Sequence, residues 1–124
     1  MRMDHTTLQT NTLEATKDFF CEVLELRPGD RPPFDFPGYW LYNAMDEHPI
    51  IHLIGTEERV GDDTGTLHHL AYLGDPARYD EFDTRISAMD CKQDRRVVPG
   101  SGIRQIFVTG PHNIFVELNF PEAG

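Results

Sequence analysis

Basic residues, cysteine and long apolar runs are all scarce in this chain of 124 residues. Eleven Lys and Arg stand against twenty-one Asp and Glu, a formal net charge of −10, and no segment gathers the cations into a stripe. A phosphate-binding surface needs such a stripe, so nucleic acid is excluded as a partner. The two cysteines, Cys21 and Cys91, lack the spacing of a metal knuckle or a redox pair, and both read as reduced packing residues. No apolar run approaches a membrane span and the opening MRMDHTTLQT has no secretory apolar core, so a cytoplasmic protein away from membranes is expected. The length predicts one domain with a proper core.

What is present is a pattern read twice. Residues 3 to 10 suit a strand, and an amphipathic helix is expected over 12 to 26, where Leu13, Phe20, Val23 and Leu24 fall at helical spacing. Asn11 or Thr12 serves as N-cap, and Pro28 and Gly29 stop the helix. After the aromatic loop RPPFDFPG come strands at 39 to 44 and 50 to 55, joined by the turn MDEHP. The polar link TEERVGDDTG then separates two halves, 1–56 and 66–121.

In the second half a strand is expected at 67 to 73 and a helix starting at Asp75-Pro76, with Tyr79, Phe82, Ile86 and Met89 as its buried stripe. Strands follow at 95 to 98, 104 to 109 and 113 to 120, with GPHN turning into the last. Both halves therefore read strand, helix, then two or three strands.

Polar residues inside these apolar strands keep the same repeat. From His5 to His52 is 52 − 5 = 47 residues, and from His69 to Glu117 is 117 − 69 = 48. Equivalent positions thus carry His5, His52, His69 and Glu117. Strand alternation sets Phe115, Glu117 and Asn119 on one face of the last strand, and His5, Thr7 and Gln9 on one face of the first. A buried carboxylate is costly unless paired or metal-bound, and three imidazoles with one carboxylate are a ligand set for a divalent transition metal. His48 and His112 occupy turns and read as surface residues.

The stretches HTTLQT, ATKDFFCEVLEL, LHHLAYL and IFVELNF resemble those of the vicinal oxygen chelate superfamily, which includes glyoxalase I, fosfomycin-resistance enzymes, extradiol dioxygenases and bleomycin-resistance proteins. The resemblance covers nearly the whole chain. It implies an α+β fold of two βαβββ modules forming an incomplete, cupped barrel around a metal, in a homodimer. Carried over by position, the ligands are His5, His52, His69 and Glu117. His69, followed by an apolar and then a small residue, fits the family pattern, with His68 as the alternative. Bacterial glyoxalase I places a glutamate where this chain has His52.

The resemblance further implies Zn, Ni, Fe, Mn or Co bound to oxygens of a small-molecule substrate, stabilising negative charge that develops on them. Four protein ligands on an octahedral ion leave room for a bidentate substrate but not for substrate and dioxygen together. Lyase or isomerase chemistry of the glyoxalase type therefore ranks above extradiol ring cleavage, which would use His5, His69 and Glu117 on Fe(II). Glu117 is expected to be ligand and general base. Phe34, Phe36, Tyr39, Trp40 and Tyr42 are candidates to line the substrate pocket, and Arg104 to meet an anionic group. A bleomycin-resistance-like drug-binding protein is the alternative from another class.

Overall fold

The first half folds as β1 (Thr6–Thr10), α1 (Leu13–Leu24), β2 (Leu26–Gly29), β3 (Gly38–Asn43) and β4 (Pro49–Gly55). The second repeats that order as β5 (Leu70–Leu73), a 3₁₀ turn at Pro76–Arg78, α2 (Tyr79–Ser87), β6 (Gln93–Val97), β7 (Arg104–Thr109) and β8 (Phe115–Phe120). The structure is a computed structural model, and it describes residues 1–122. The chain separates into two compact units between Asp62 and Asp63, within the polar link. Each is a βαβββ module of the α+β class.

Each module holds a four-stranded mixed sheet, in the order β1-β4-β3-β2 and β5-β8-β7-β6. The first strand runs parallel to the last, and the remaining neighbours are antiparallel. A parallel neighbour requires a crossover, and the helix supplies it. One sheet face then packs on that helix. In module one Phe20, Val23, Leu41 and Ile51 are fully buried, and in module two Ile86, Ile106, Val116 and Phe120 are. Alternation sends the other side chains of these strands to the opposite face, where His52 and Glu117 lie half-buried.

Three local outcomes differ from the expected elements. Helix α1 ends two residues early because Glu25 adopts a left-handed conformation, φ 56°, at its C-cap. Leu26–Gly29 then enters the sheet as β2, whose Pro28 is tolerated because the strand lies at the edge. The parallel ladders begin at Thr6 and Leu70, so His5 and His69 each immediately precede their strand instead of lying within it.

Asn11 does not cap α1. Its amide donates to the carbonyls of Thr56 and Glu58, both at 2.8 Å, and accepts from the Val60 amide, tying the exit of β4 to the start of the helix. Thr12 takes the N-cap position without a side-chain cap bond. In module two Asp75 does cap, accepting from the Ala77 amide at 2.9 Å with Pro76 in the first turn. The turn before β8 is a 3₁₀ turn, Pro111–Asn113, in which His112 and Asn113 both have positive φ.

Two fully buried hydroxyls, Thr10 and Thr16, face each other at 2.7 Å beneath the first turn of α1, and Thr10 Oγ1 also accepts from the Thr12 amide at 3.0 Å. Thr10→Val leaves both groups short of a partner and should cost about 1–3 kcal/mol, because an unsatisfied buried donor loses its water as well. Thr16→Val should cost less in the same denaturant titration. Equal costs would show that the amide bond to Thr10 contributes nothing.

Candidate active site

Register decides which residues meet. In module one Thr7 lies opposite His52, and His5 is two residues before Thr7. In module two Ala71 lies opposite Glu117, and His69 is two residues before Ala71. The four candidates thus occupy equivalent places in two separate ladders, and the partners on the third strand, Trp40 and Phe107, correspond as well.

Neighbouring strands stand about 4.8 Å apart, so planar side chains on one face of adjacent strands can stack. They do so in module one. The His52 ring lies between His5, centroids 3.7 Å apart, and Trp40, centroids 4.2 Å apart, with the ring planes nearly parallel. His52 Nε2 is buried in this stack and has no hydrogen-bond partner. Burial first, and then the adjacent His5, hold its imidazole below the ordinary histidine value. Neutral imidazole is the form that offers a lone pair to a metal.

The two histidines that precede strands are oriented alike. His5 Nδ1 contacts Asp4 Oδ2 at 2.5 Å, and His69 Nδ1 contacts His68 Nδ1 at 2.9 Å. In each case the preceding residue holds Nδ1, which leaves Nε2 as the outward nitrogen. The bond to His5 also lowers the Asp4 carboxyl below its usual range, with His48 assisting from 3.3 Å. His68, the alternative candidate in the sequence, therefore contacts His69 directly, whereas His48 is an exposed residue, as expected, that reaches Asp4.

In module two His69 Nε2 faces Glu117 Oε1 at 3.9 Å, too far for a hydrogen bond. Glu117 is oriented from its other oxygen. Gln105 Nε2 donates to Asn119 Oδ1 at 2.9 Å, and Asn119 Nδ2 donates to Glu117 Oε2 at 2.8 Å. Strand alternation put Asn119 on the face of Glu117, but only the β7–β8 register brings Gln105 alongside.

The aromatic candidates separate. Trp40, Phe34 and Phe36 gather near His52 around a cavity of about 160 Å³ that Ile54 and Arg31 also line. Tyr39 points to the helix side, where its hydroxyl donates to Glu14 at 2.5 Å, and Tyr42 donates to the Asp30 carbonyl. In module two the Arg104 guanidinium lies 3.9 Å over the Tyr79 ring. Arg31, which no sequence signal singled out, is the cation of this cavity. Its guanidinium lies 5.1 and 5.0 Å from the Phe34 and Phe36 rings.

Among the described residues no three candidate ligands gather at one point; they stand as the pairs His5 with His52 and His69 with Glu117. As a donor set they fit a divalent cation. A buried imidazole nitrogen lacks a partner, two further imidazoles are held through Nδ1, and a carboxylate is oriented by an amide.

Two mixed sheets of βαβββ topology, each presenting an imidazole-bearing or carboxylate-bearing face, define a class of paired-module proteins. The chain belongs to the Glyoxalase/Bleomycin resistance protein/Dioxygenase superfamily, whose model matches residues 2–118. Solved structures with the same fold include the fosfomycin resistance protein FosX of Listeria monocytogenes, in a variant complexed with Mn(II) and dihydroxypropylphosphonic acid, at 19% identity and TM-score 0.74 over 97% of this chain and 92% of that one. A glyoxalase/dioxygenase from Nostoc punctiforme gives 17% identity and 0.79 over 98% and 92%. Lactoylglutathione lyase from Agrobacterium tumefaciens gives 19% and 0.66 over 96% and 92%. Comparison with curated proteins gives no match. Among the described residues no helix is long and apolar enough to cross a membrane.

Trp40 is the only tryptophan, so its emission reports on the ring stack directly. The stacked imidazole covers one face of the indole, and His52→Ala, which uncovers it to water, should change the emission intensity. Unchanged intensity would mean that the stack is not populated in solution.

Proposed function

We propose that this protein is a divalent-metal-dependent lyase or isomerase of the vicinal oxygen chelate type, acting on a small oxygen-bearing substrate. The observation that carries the reading is the buried, partnerless Nε2 of His52, an arrangement that costs stability unless something binds it. His5, His52, His69 and Glu117 would hold the ion. Bound there, a divalent cation would supply Lewis-acid stabilisation of negative charge developing on the substrate. That FosX was solved with Mn(II) in the same fold supports a metal-dependent chemistry.

The chain's own residues perform the remaining tasks. Glu117 is the only carboxylate of the set, and in this reading its Oε1 takes a proton from substrate carbon as general base. Asn119, fixed by Gln105, holds Oε2 through a donated hydrogen bond and so fixes the direction of the carboxylate. Asp4 and His68 hold His5 and His69 through Nδ1, so that no ring must turn as ligands are engaged. The aromatic side chains beside His52 would give a substrate apolar surface to rest on.

Elemental mass spectrometry of protein purified without chelator or histidine tag should find about one divalent metal per set of four ligands, strongly reduced in His52→Ala. Metal retained in that variant would move the assignment toward a dioxygenase centre of His5, His69 and Glu117, for which oxygen uptake with catechols is the direct assay. No metal even after reconstitution would remove the enzyme reading in favour of a drug-binding protein.

Glu117→Gln keeps the shape and the bond to Asn119 while removing the base. It should lower kcat by at least a hundredfold on any enolisable carbonyl substrate, in the range that general-base catalysis contributes, about 10²–10⁴. The circular dichroism spectrum should be unchanged. Full activity in this variant would remove Glu117 as the base.

A further inference from the structure

The cavity of module one contains an unsatisfied donor whose position is not explained by ligand binding at His5 and His52. Arg31 lies on the loop between β2 and β3, its Nη2 donating to the Phe36 carbonyl at 3.0 Å and its guanidinium plane resting on the Phe34 and Phe36 rings. Its Nε is buried and has no partner. The groups that hold it are two ring faces and a carbonyl, none of them an anion. Arg31 is the charged side chain among the residues that line this cavity, so an anion entering it would meet the guanidinium.

The loop is held in place to present it. Pro37 O accepts from the Gly55 amide at 2.9 Å, and Tyr42 donates to Asp30 O, so both ends of the loop are fastened to the sheet. At Gly38 a Cβ would stand 2.3 Å from Leu53 O and 2.8 Å from Arg31 Nη2, so a side chain there would displace the arginine or the strand.

We infer that this cavity binds a small aromatic carboxylate, with its ring against Phe34, Phe36 and Trp40 and its carboxylate on Arg31 beside His52. The size agrees, since a void of about 150 Å³ accepts benzene and this cavity measures about 160 Å³. The head group follows from the guanidinium, which pairs with oxyanions through two parallel hydrogen bonds and far better than with a neutral amide. Of the oxyanions it takes, the carboxylate is the smaller, as a cavity of this size requires. The acidic net charge does not oppose this, because exposed charges are screened beyond about 8 Å at physiological salt while Arg31 makes direct contact. Identifying the occupant as substrate rests on the enzyme reading above; its binding does not.

Three probes share one ring and differ in head group: benzoate, benzamide and phenylphosphonate. Calorimetric titration of the full chain, as purified and after chelator treatment, with Trp40 emission followed in parallel, should show benzoate binding at least tenfold more tightly than either analogue. In Arg31→Met the affinity for benzoate should fall to that for benzamide. The comparison of probes on the unmodified protein decides the matter even if that variant fails to fold. Equal binding of benzamide and benzoate, or undiminished binding of benzoate by Arg31→Met, would overturn anion recognition, and a preference for phenylphosphonate would overturn the carboxylate. Benzoate binding by metal-free protein that never acquires metal would sustain this inference while the enzyme reading falls. A metal-dependent activity without any preference for anionic ligands would do the reverse.

Discussion

The parallel pairing of first and last strands within each module is the constraint on which the rest depends. A parallel neighbour cannot be reached by a tight turn, so α1 and α2 must cross over, and in doing so they cover one face of their sheet. Apolar side chains follow the helix. With Ile51 and Leu53 committed to that side, His52 between them has only the other face, and the same holds for Glu117 between Val116 and Leu118. The functional face is what remains once the core has been satisfied.

That face is organised by contacts between adjacent strands more than by any one element. The ladder of His5, His52 and Trp40 crosses β1, β4 and β3 in spatial order, and it excludes water from an imidazole nitrogen without giving it a partner. Module two solves the same geometry with different chemistry. There Gln105, Asn119 and Glu117 form a polar chain across β7 and β8, while His69 packs edge-on to Phe115. The two modules therefore carry different side chains at equivalent places, stacked rings in the first and an amide-held carboxylate in the second.

Electrostatics within the first module repeats the point on a smaller scale. A chain of net charge −10 places Asp4 against His5 and His48, and Arg31 against two aromatic rings. Asp4 serves to orient an imidazole. Arg31 has its charge spread over ring faces that stabilise it only modestly, so it retains its capacity for an anion.

Read alone, the chain of residues determined the order of strand, helix and further strands in both halves, the buried Phe82 and Ile86 of α2, the joining link and the equivalent places of His5, His52, His69 and Glu117, whereas Tyr79 is only half-buried and Met89 lies beyond the end of α2. Those features are periodic, and alternation at two and at 3.6 residues survives any detail of packing. The edge strand β2 was not legible, because Pro28 reads as a stop and only its place at the sheet edge makes it acceptable. Nor were the places of Arg31, Gln105 and His68, or the turn of Tyr39 toward Glu14 on the helix. Each of these rests on register or loop closure between residues distant in sequence, and a pattern of one chain carries no term for which strand lies beside which. The sequence by itself determined which side chains share a face; tertiary structure decided which of them touch, because contact across a sheet depends on hydrogen-bonded register between strands.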